Sequence, residues 1–289
     1  MLPDGGHYER SPAYHLLVLR DLLEVQAASP HVWLGETIDR MRAFAAALQR
    51  PDGVPALFND GGADVAPRLD LPEPPQGLHV FRESGFAVVR EGKLWLAFRC
   101  GPPTPAFLPP HAHADVLSLQ LWWDSSPVFV DPGTYTYEPG PDRDRFRGTA
   151  AHSAVVVDGR DQFRLWGAFR SGPLPEVKLR YARESALEAS VMLSRGMRHI
   201  RRIEWEPGRV VIRDRLEGKG RHRVESRLLW APDPAGGVSL VPAVGDVAHR
   251  EQAWVSERFG ERTETTASVV RRVGAELPLE LTWTVELPL

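Results

Sequence analysis

The chain has 289 residues, 43% of them hydrophobic and 25% charged, with a net charge of −3. This is the composition of a globular protein long enough to bury a sizeable core in one or two domains. So small a charge supplies no global field for nucleic acid or a membrane surface, no apolar run reaches the length of a membrane span, and a single cysteine, Cys100, excludes an internal disulfide.

The N-terminal stretch Met1-Leu2-Pro3-Asp4-Gly5-Gly6 is not a signal peptide. Ser11-Pro12 places a cap and a proline at the head of a helix over 13–23, where proline's fixed φ and missing N–H are tolerated. A second helix is expected over 32–48, because Leu34, Ile38, Met41, Ala45 and Leu48 recur at three- and four-residue steps. Two helices cannot bury both of their faces alone, so residues 1–50 read as the last hairpin of a larger helical array. Pro51-Asp52-Gly53 ends the second helix, and residues 51–76, with Asn59-Asp60-Gly61-Gly62 and a proline-rich run, read as a linker.

From residue 77 to 289 the hydrophobic period changes to two. Phe86 to Arg90 and Lys93 to Phe98, joined by Glu91-Gly92, form a hairpin. Further strands are expected over 116–123, 153–157, 187–193, 197–205, 209–216, 223–230, 263–270 and 279–285. Many short strands with glycine and proline turns and no intervening helix predict a mainly β domain, an antiparallel sandwich of stacked sheets.

Chemistry concentrates in one segment. His111 and His113 are two apart, so on an extended backbone they face the same side, and Leu117, Leu119 and Leu121 continue that parity. Asp131 follows the apolar run 128–130, and His152 precedes the apolar run 155–157. Each therefore sits at the mouth of a buried strand. Two imidazoles and a carboxylate, with a fourth position left to water or substrate, form a zinc constellation. The plainer reading of any one of these histidines is a hydrogen-bonded core residue. Arginine supplies all basic residues except Lys93, Lys178 and Lys219, which suits an acidic ligand and equally reflects GC-rich coding.

The runs His111-Ala-His113-Ala-Asp115-Val-Leu-Ser-Leu-Gln-Leu, Val130-Asp131-Pro-Gly-Thr-Tyr135, Phe146-Arg147-Gly-Thr-Ala-Ala-His152-Ser and Val156-Val157-Asp158-Gly159 resemble the C-terminal β domain of the heparinase II/III family of polysaccharide lyases. The run from Asp4 through Tyr14 to His15 resembles the end of that family's helical toroid. The resemblance implies an antiparallel β-sandwich preceded by a short α-helical remnant of an (α/α) toroid. It also implies cleavage of uronic-acid polysaccharide by β-elimination, leaving 4,5-unsaturated uronate ends. Carried over by position, it implies Tyr14 and His111 as catalytic residues. It implies His113, Asp131 and His152 as ligands of a divalent metal, zinc or else an ion such as calcium, with a mainly structural role. Arg147, Tyr135 and Tyr137 are candidates to line the cleft, with a surface ion pair or core aromatics as the plainer readings.

β-Elimination removes the C5 proton of a uronate, so the site needs a base near C5 and neutralisation of the carboxylate. A tyrosine, with an ordinary pKa of about 10, serves as base only where its surroundings favour phenolate. In the family the carboxylate is met by an asparagine or histidine on helices well upstream of the tyrosine. This chain starts thirteen residues before Tyr14, so the expectation is a fragment of a larger lyase, a product of a split gene or misplaced start, or a degenerate remnant. The expected partner is an acidic polysaccharide of alginate or glycosaminoglycan type, and the resemblance favours a periplasmic or secreted protein. The alternatives are a non-catalytic, metal-stabilised carbohydrate-binding sandwich and a cupin-like metalloenzyme. The latter fits less well, since Asp115 and then Leu117-Ser118-Leu119 stand where a cupin carries its glutamate.

Overall fold

The computed structural model describes residues 1–107 and 109–288. Helix α1 (Pro12–Ala28) is capped by Ser11, whose side chain accepts from the Tyr14 N–H, and it pairs with α2 (Val32–Leu48). Leu16, Leu19, Leu34, Ile38 and Met41 fill the seam between them. The buried His15 ties the pair together, accepting from the His7 N–H and donating to the Met41 carbonyl at 3.0 Å. No helix among the described residues is long and apolar enough to cross a membrane.

The strands follow in chain order. β1 (Gly77–Phe81), β2 (Phe86–Glu91), β3 (Leu94–Arg99), β4 (Leu119–Trp123) and β5 (Ser126–Phe129) form one antiparallel sheet in sequence order. Then come β6 (Val155–Val157), β7 (Leu165–Trp166), β8 (Arg170–Ser171), β9 (Val177–Arg183), β10 (Ala186–Met192), β11 (Arg198–Glu206), β12 (Arg209–Glu217), β13 (Arg221–Leu229), β14 (Ser239–Pro242), β15 (Ala248–Val255), β16 (Thr263–Glu276) and β17 (Leu279–Glu286). A second sheet runs β14-β17-β12-β11-β10-β9 and a third β15-β16-β13-β6, while β7 and β8 pair alone.

The middle strands of the five-stranded sheet, β2, β3 and β4, are buried on both faces. Ala87, Val89, Leu96, Phe98, Leu119 and Leu121 point to one core with Leu187, Ile203, Ile212, Leu281 and Trp283 of the six-stranded sheet. The alternate residues Phe86, Val88, Trp95, Ala97 and Trp122 pack with Phe44 and Leu48 of α2 and with Ala56 and Phe58. The layers therefore run helical hairpin, sheet, sheet, a mainly β stack as the two-residue alternation implied.

The sequence reading names no strand where β1, β5, β9, β14 and β15 stand, and it differs from the structure in three further respects. A helix does intervene among the strands: α3 (Pro141–Arg147) has proline in its first turn, Asp142 and Asp144 near its N-terminus, and Arg145 and Arg147 in its last turn, charges placed to complement the helix dipole. Second, the strand expected over 116–123 begins only at Leu119, because Leu117 adopts a positive φ of 64°. The pair His111 and His113 therefore stands on a turn, not on the strand. Third, the segment read as a linker lacks a helix or strand but is no passive connection: Ala56 to Asp60 are buried.

Candidate active site and metal centre

Tyr14 sits in the first turn of α1, half-buried. Its ring stacks on that of His111, with centroids 4.1 Å apart, and its hydroxyl lies 2.9 Å from that of Tyr137. Burial pushes the Tyr14 phenol up, and Asp60 and Glu9 add to this; the Tyr137 hydrogen bond and Arg143 oppose it without prevailing. The phenol thus keeps its proton at neutral pH. Tyr137 is pushed up as well, by burial first and by Asp60 next.

Asp60 stands at the centre, wholly buried. It accepts from His111 Nδ1 at 3.0 Å, from His113 Nε2 at 3.0 Å, and from both terminal nitrogens of Arg143, that from Nη2 at 2.8 Å. Burial alone would raise this carboxyl, but the bonds from His111, His113 and Arg143 outweigh it and hold it well below the ordinary range. An ionised carboxylate only accepts, so the two imidazole nitrogens facing it carry protons. The loop carrying Asp60 is held on every side: Ser11 Oγ donates to the Asp60 carbonyl at 2.6 Å, the Asp60 N–H to the His111 carbonyl at 3.1 Å, and the His113 N–H to Asn59 Oδ1 at 3.1 Å. Asn59 takes a positive φ of 61°, and its amide bonds the carbonyls of Arg10 and Pro103.

His113, Asp131 and His152 converge, all buried, with one ligand atom of each within 4.8 Å of the others. His113 Nδ1 and His152 Nε2 face each other at 3.3 Å, and His152 Nε2 lies 3.9 Å from Asp131 Oδ2. The outer nitrogens are committed, His113 Nε2 to Asp60 and His152 Nδ1 to the Gly148 carbonyl at 2.8 Å. Two lone pairs are therefore directed at each other, an arrangement that repels unless a cation lies between. Burial drives His113 down to about 3 and lowers His152, so neither imidazole readily supplies that cation by taking a proton. Burial, with Asp115 nearby, raises Asp131 well above its usual value. Two tetrahedral nitrogen ligands at about 2.0–2.1 Å from zinc lie about 3.3 Å apart, so the donor set fits a small divalent ion. Each imidazole also has an outer partner of the kind that orients metal ligands.

The remaining candidates are placed differently. Arg147 is fully buried and donates to three backbone carbonyls, those of Ala112 (3.0 Å), Gly167 (3.0 Å) and Arg170 (3.3 Å). It clamps the histidine turn from behind and presents no nitrogen to a cleft. Tyr135 stacks on Phe146 under the Arg262 guanidinium, away from Tyr14, whereas Tyr137 reaches Tyr14 and lies beneath Arg143. A cavity of about 430 Å³ opens behind α3, lined by Phe146, Asp161, Arg227 and Trp254. None of Tyr14, His111 and the three converging ligands lines it, so volume is no guide to the chemistry here.

The sequence reading missed Asp60 and Arg143. Arg143 precedes Arg147 by one helical turn and was visible only as part of an arginine run. Asp60 lay in a glycine-flanked stretch whose composition signals a turn.

The family model described as heparinase II/III-like, C-terminal, matches residues 73–284. No curated protein matches the chain in sequence. Among solved structures, the heparan sulfate lyase HepC from Pedobacter heparinus superposes with a TM-score of 0.80 at 14% identity, covering 99% of this chain and 53% of its own. A structure of heparinase III gives 0.79 at 14% identity, covering 100% of this chain and 55% of its own. The heparinase III product of the BT4657 gene gives 0.78 at 17%, covering 100% and 52%. The chain thus spans about half the length of the proteins it superposes on.

Proposed function

The chain belongs to the heparinase II/III-like family, and from that premise we propose that it forms the C-terminal half of a lyase site that cleaves an acidic, glycosaminoglycan-type polysaccharide by β-elimination. The observation that carries this reading is the stack of Tyr14 on His111, with Asp60 behind the imidazole.

The roles follow from the proton inventory. His111 Nδ1 is committed to Asp60, so Nε2, which lies 3.8 Å from Glu9 Oε2, is the ring's acceptor and takes the C5 proton of the uronate. The C5–H electrons form the C4–C5 double bond and the C4–O4 bond breaks. O4 then takes the proton of Tyr14, which its surroundings keep protonated. Proton return from His111 to Tyr14 resets the pair. Arg143 is fully buried, with its fork turned to Asp60 and its Nε donating to the Ala168 carbonyl, so it is not placed to neutralise the uronate carboxylate. No group among the described residues is assigned to that carboxylate.

His113, Asp131 and His152 would hold zinc, or another divalent ion such as calcium. When bound it supplies a fixed joint between the histidine turn, the end of β5 and the entry to β6.

The test measures metal content and ultraviolet absorbance of unsaturated uronate on heparan sulfate, heparin and alginate, for this chain alone and with the upstream helical half added. Unsaturated product that is abolished by Tyr14→Phe, with zinc retained, supports the reading. Glycan binding without product in both forms would support a metal-stabilised binding sandwich instead.

A further inference from the structure

Among the described residues, Asp60 is the side chain that bonds both His111 and His113. His111 Nδ1 donates to its Oδ2 and His113 Nε2 to its Oδ1, each at 3.0 Å, while Arg143 closes the remaining side with a two-pronged grip. Thr134 Oγ1 adds a contact at 3.4 Å from a residue only three positions beyond Asp131, and it also accepts from the Gly61 N–H at 3.1 Å. Asp60, His113, Thr134 and Arg143 are all buried, and His111 alone of these partners is partly exposed.

We infer that Asp60 is a positioning residue shared by the metal centre and the acid–base imidazole, so that occupation of the metal site is sensed at His111 through one carboxylate. This rests on the lyase and metal reading above. The physical argument is one of tautomers. A carboxylate gripped by a guanidinium accepts and never donates, so it imposes Nε2–H on His113 and Nδ1–H on His111. The first choice turns His113 Nδ1 toward His152, as a metal ligand requires, and the second leaves His111 Nε2 as the acceptor. A ligand imidazole becomes a stronger donor to its outer carboxylate when the metal draws on its lone pair. Asp60 then shares its charge less with His111, and the imidazole stacked on Tyr14 changes its bond to the same carboxylate. An asparagine at this position has a single acceptor oxygen and cannot serve both rings.

The experiment uses the full chain with histidine ring nitrogens labelled, titrated with zinc and observed by nuclear magnetic resonance. The expected result is Nδ1–H at His111 throughout, with its ring signals moving in step with zinc and saturating at one equivalent. Asp60→Asn is expected to weaken zinc binding about 10–100-fold and to leave His111 as a mixture of tautomers. Binding of zinc at one equivalent with unmoved His111 signals overturns the inference and leaves the metal reading intact. An Asp60→Asn protein that is folded, binds zinc as tightly as the parent and keeps a pure Nδ1–H tautomer at His111 also overturns it. Should that variant not fold, the titration of the unaltered protein decides alone. Failure of the parent to bind zinc removes the metal reading itself and the inference with it.

Discussion

The hydroxyls of Tyr14 and Tyr137 lie 2.9 Å apart, one from the first turn of α1 and the other from the segment that follows β5. This bond pulls the Tyr14 phenol down while burial pushes it up. Tyr137→Phe should therefore raise the Tyr14 phenol further. A spectrophotometric phenolate titration of the two proteins checks this: the variant loses one late-titrating tyrosine, and the remaining late one moves to higher pH. Unchanged ionisation of Tyr14 would count against the bond.

Chelation of metal should destabilise the protein. The lone pairs of His113 and His152 face each other at 3.3 Å, and a ligand that binds only the folded state stabilises by about 2.7 kcal/mol at a hundredfold excess over its dissociation constant. A thermal melt is expected to move up on adding zinc and down on adding a chelator. His152→Ala should abolish the difference.

The core between the sheets carries its own ion network, and its pH dependence has a definite sign. Asp214, buried, accepts from Arg201 Nε at 2.7 Å, His199 Nε2 at 2.8 Å and Ser226 Oγ at 2.7 Å. Burial would raise its carboxyl, but Arg201 and His199 hold it below the ordinary value, while burial lowers His199. The carboxyl's contribution is complete above its unfolded pKa of about 3.9 and is lost as pH falls below that. His199 acts in the same direction, from about pH 6.5 downward, as the unfolded chain takes up a proton that the folded one refuses. Denaturant midpoints should thus decline on acidification in two ranges. Asp214→Asn should shrink the lower one, to which Asp60 also contributes, and cost about 3–5 kcal/mol at neutral pH by stranding Arg201.

Gly133 has a φ of 69°, and a Cβ there would lie 2.1 Å from the Ser256 carbonyl oxygen, while its N–H donates to Asp131 Oδ1 at 3.0 Å. Gly133→Ala must therefore shift backbone next to Asp131, a proposed metal ligand. The expected outcome is a loss of about 3 kcal/mol or more in denaturant unfolding, with weaker zinc binding in whatever protein folds.

The parts of the fold legible in sequence are those with local signals. The hairpin of β2 and β3 carries its turn dipeptide and its alternation, and Ser11-Pro12 marks the start of α1 within a residue. The convergence of His113, Asp131 and His152 was approachable because each flanks an apolar run. Asp60 was not, since its partners His111, His113 and Arg143 are 51, 53 and 83 residues away. No periodicity records contacts at that range. The short α3 was hidden for a different reason: its 7 residues span too little chain to establish a helical repeat.

The double burial of the middle strands of the five-stranded sheet restricts how their sequence can drift. In β2, β3 and β4 both parities of side chain meet packed apolar surface, toward the helical hairpin or toward the six-stranded sheet. In β11 and β12 one parity is free to carry arginine and glutamate. Relatives that diverge should therefore accumulate polar replacements on the outer strands and hold the middle ones to volume-conserving exchanges. A helical hairpin that changed its packing residues would require matching changes in Phe86, Val88, Trp95 and Trp122, so the two parts of the chain are expected to evolve as one unit and not as exchangeable modules.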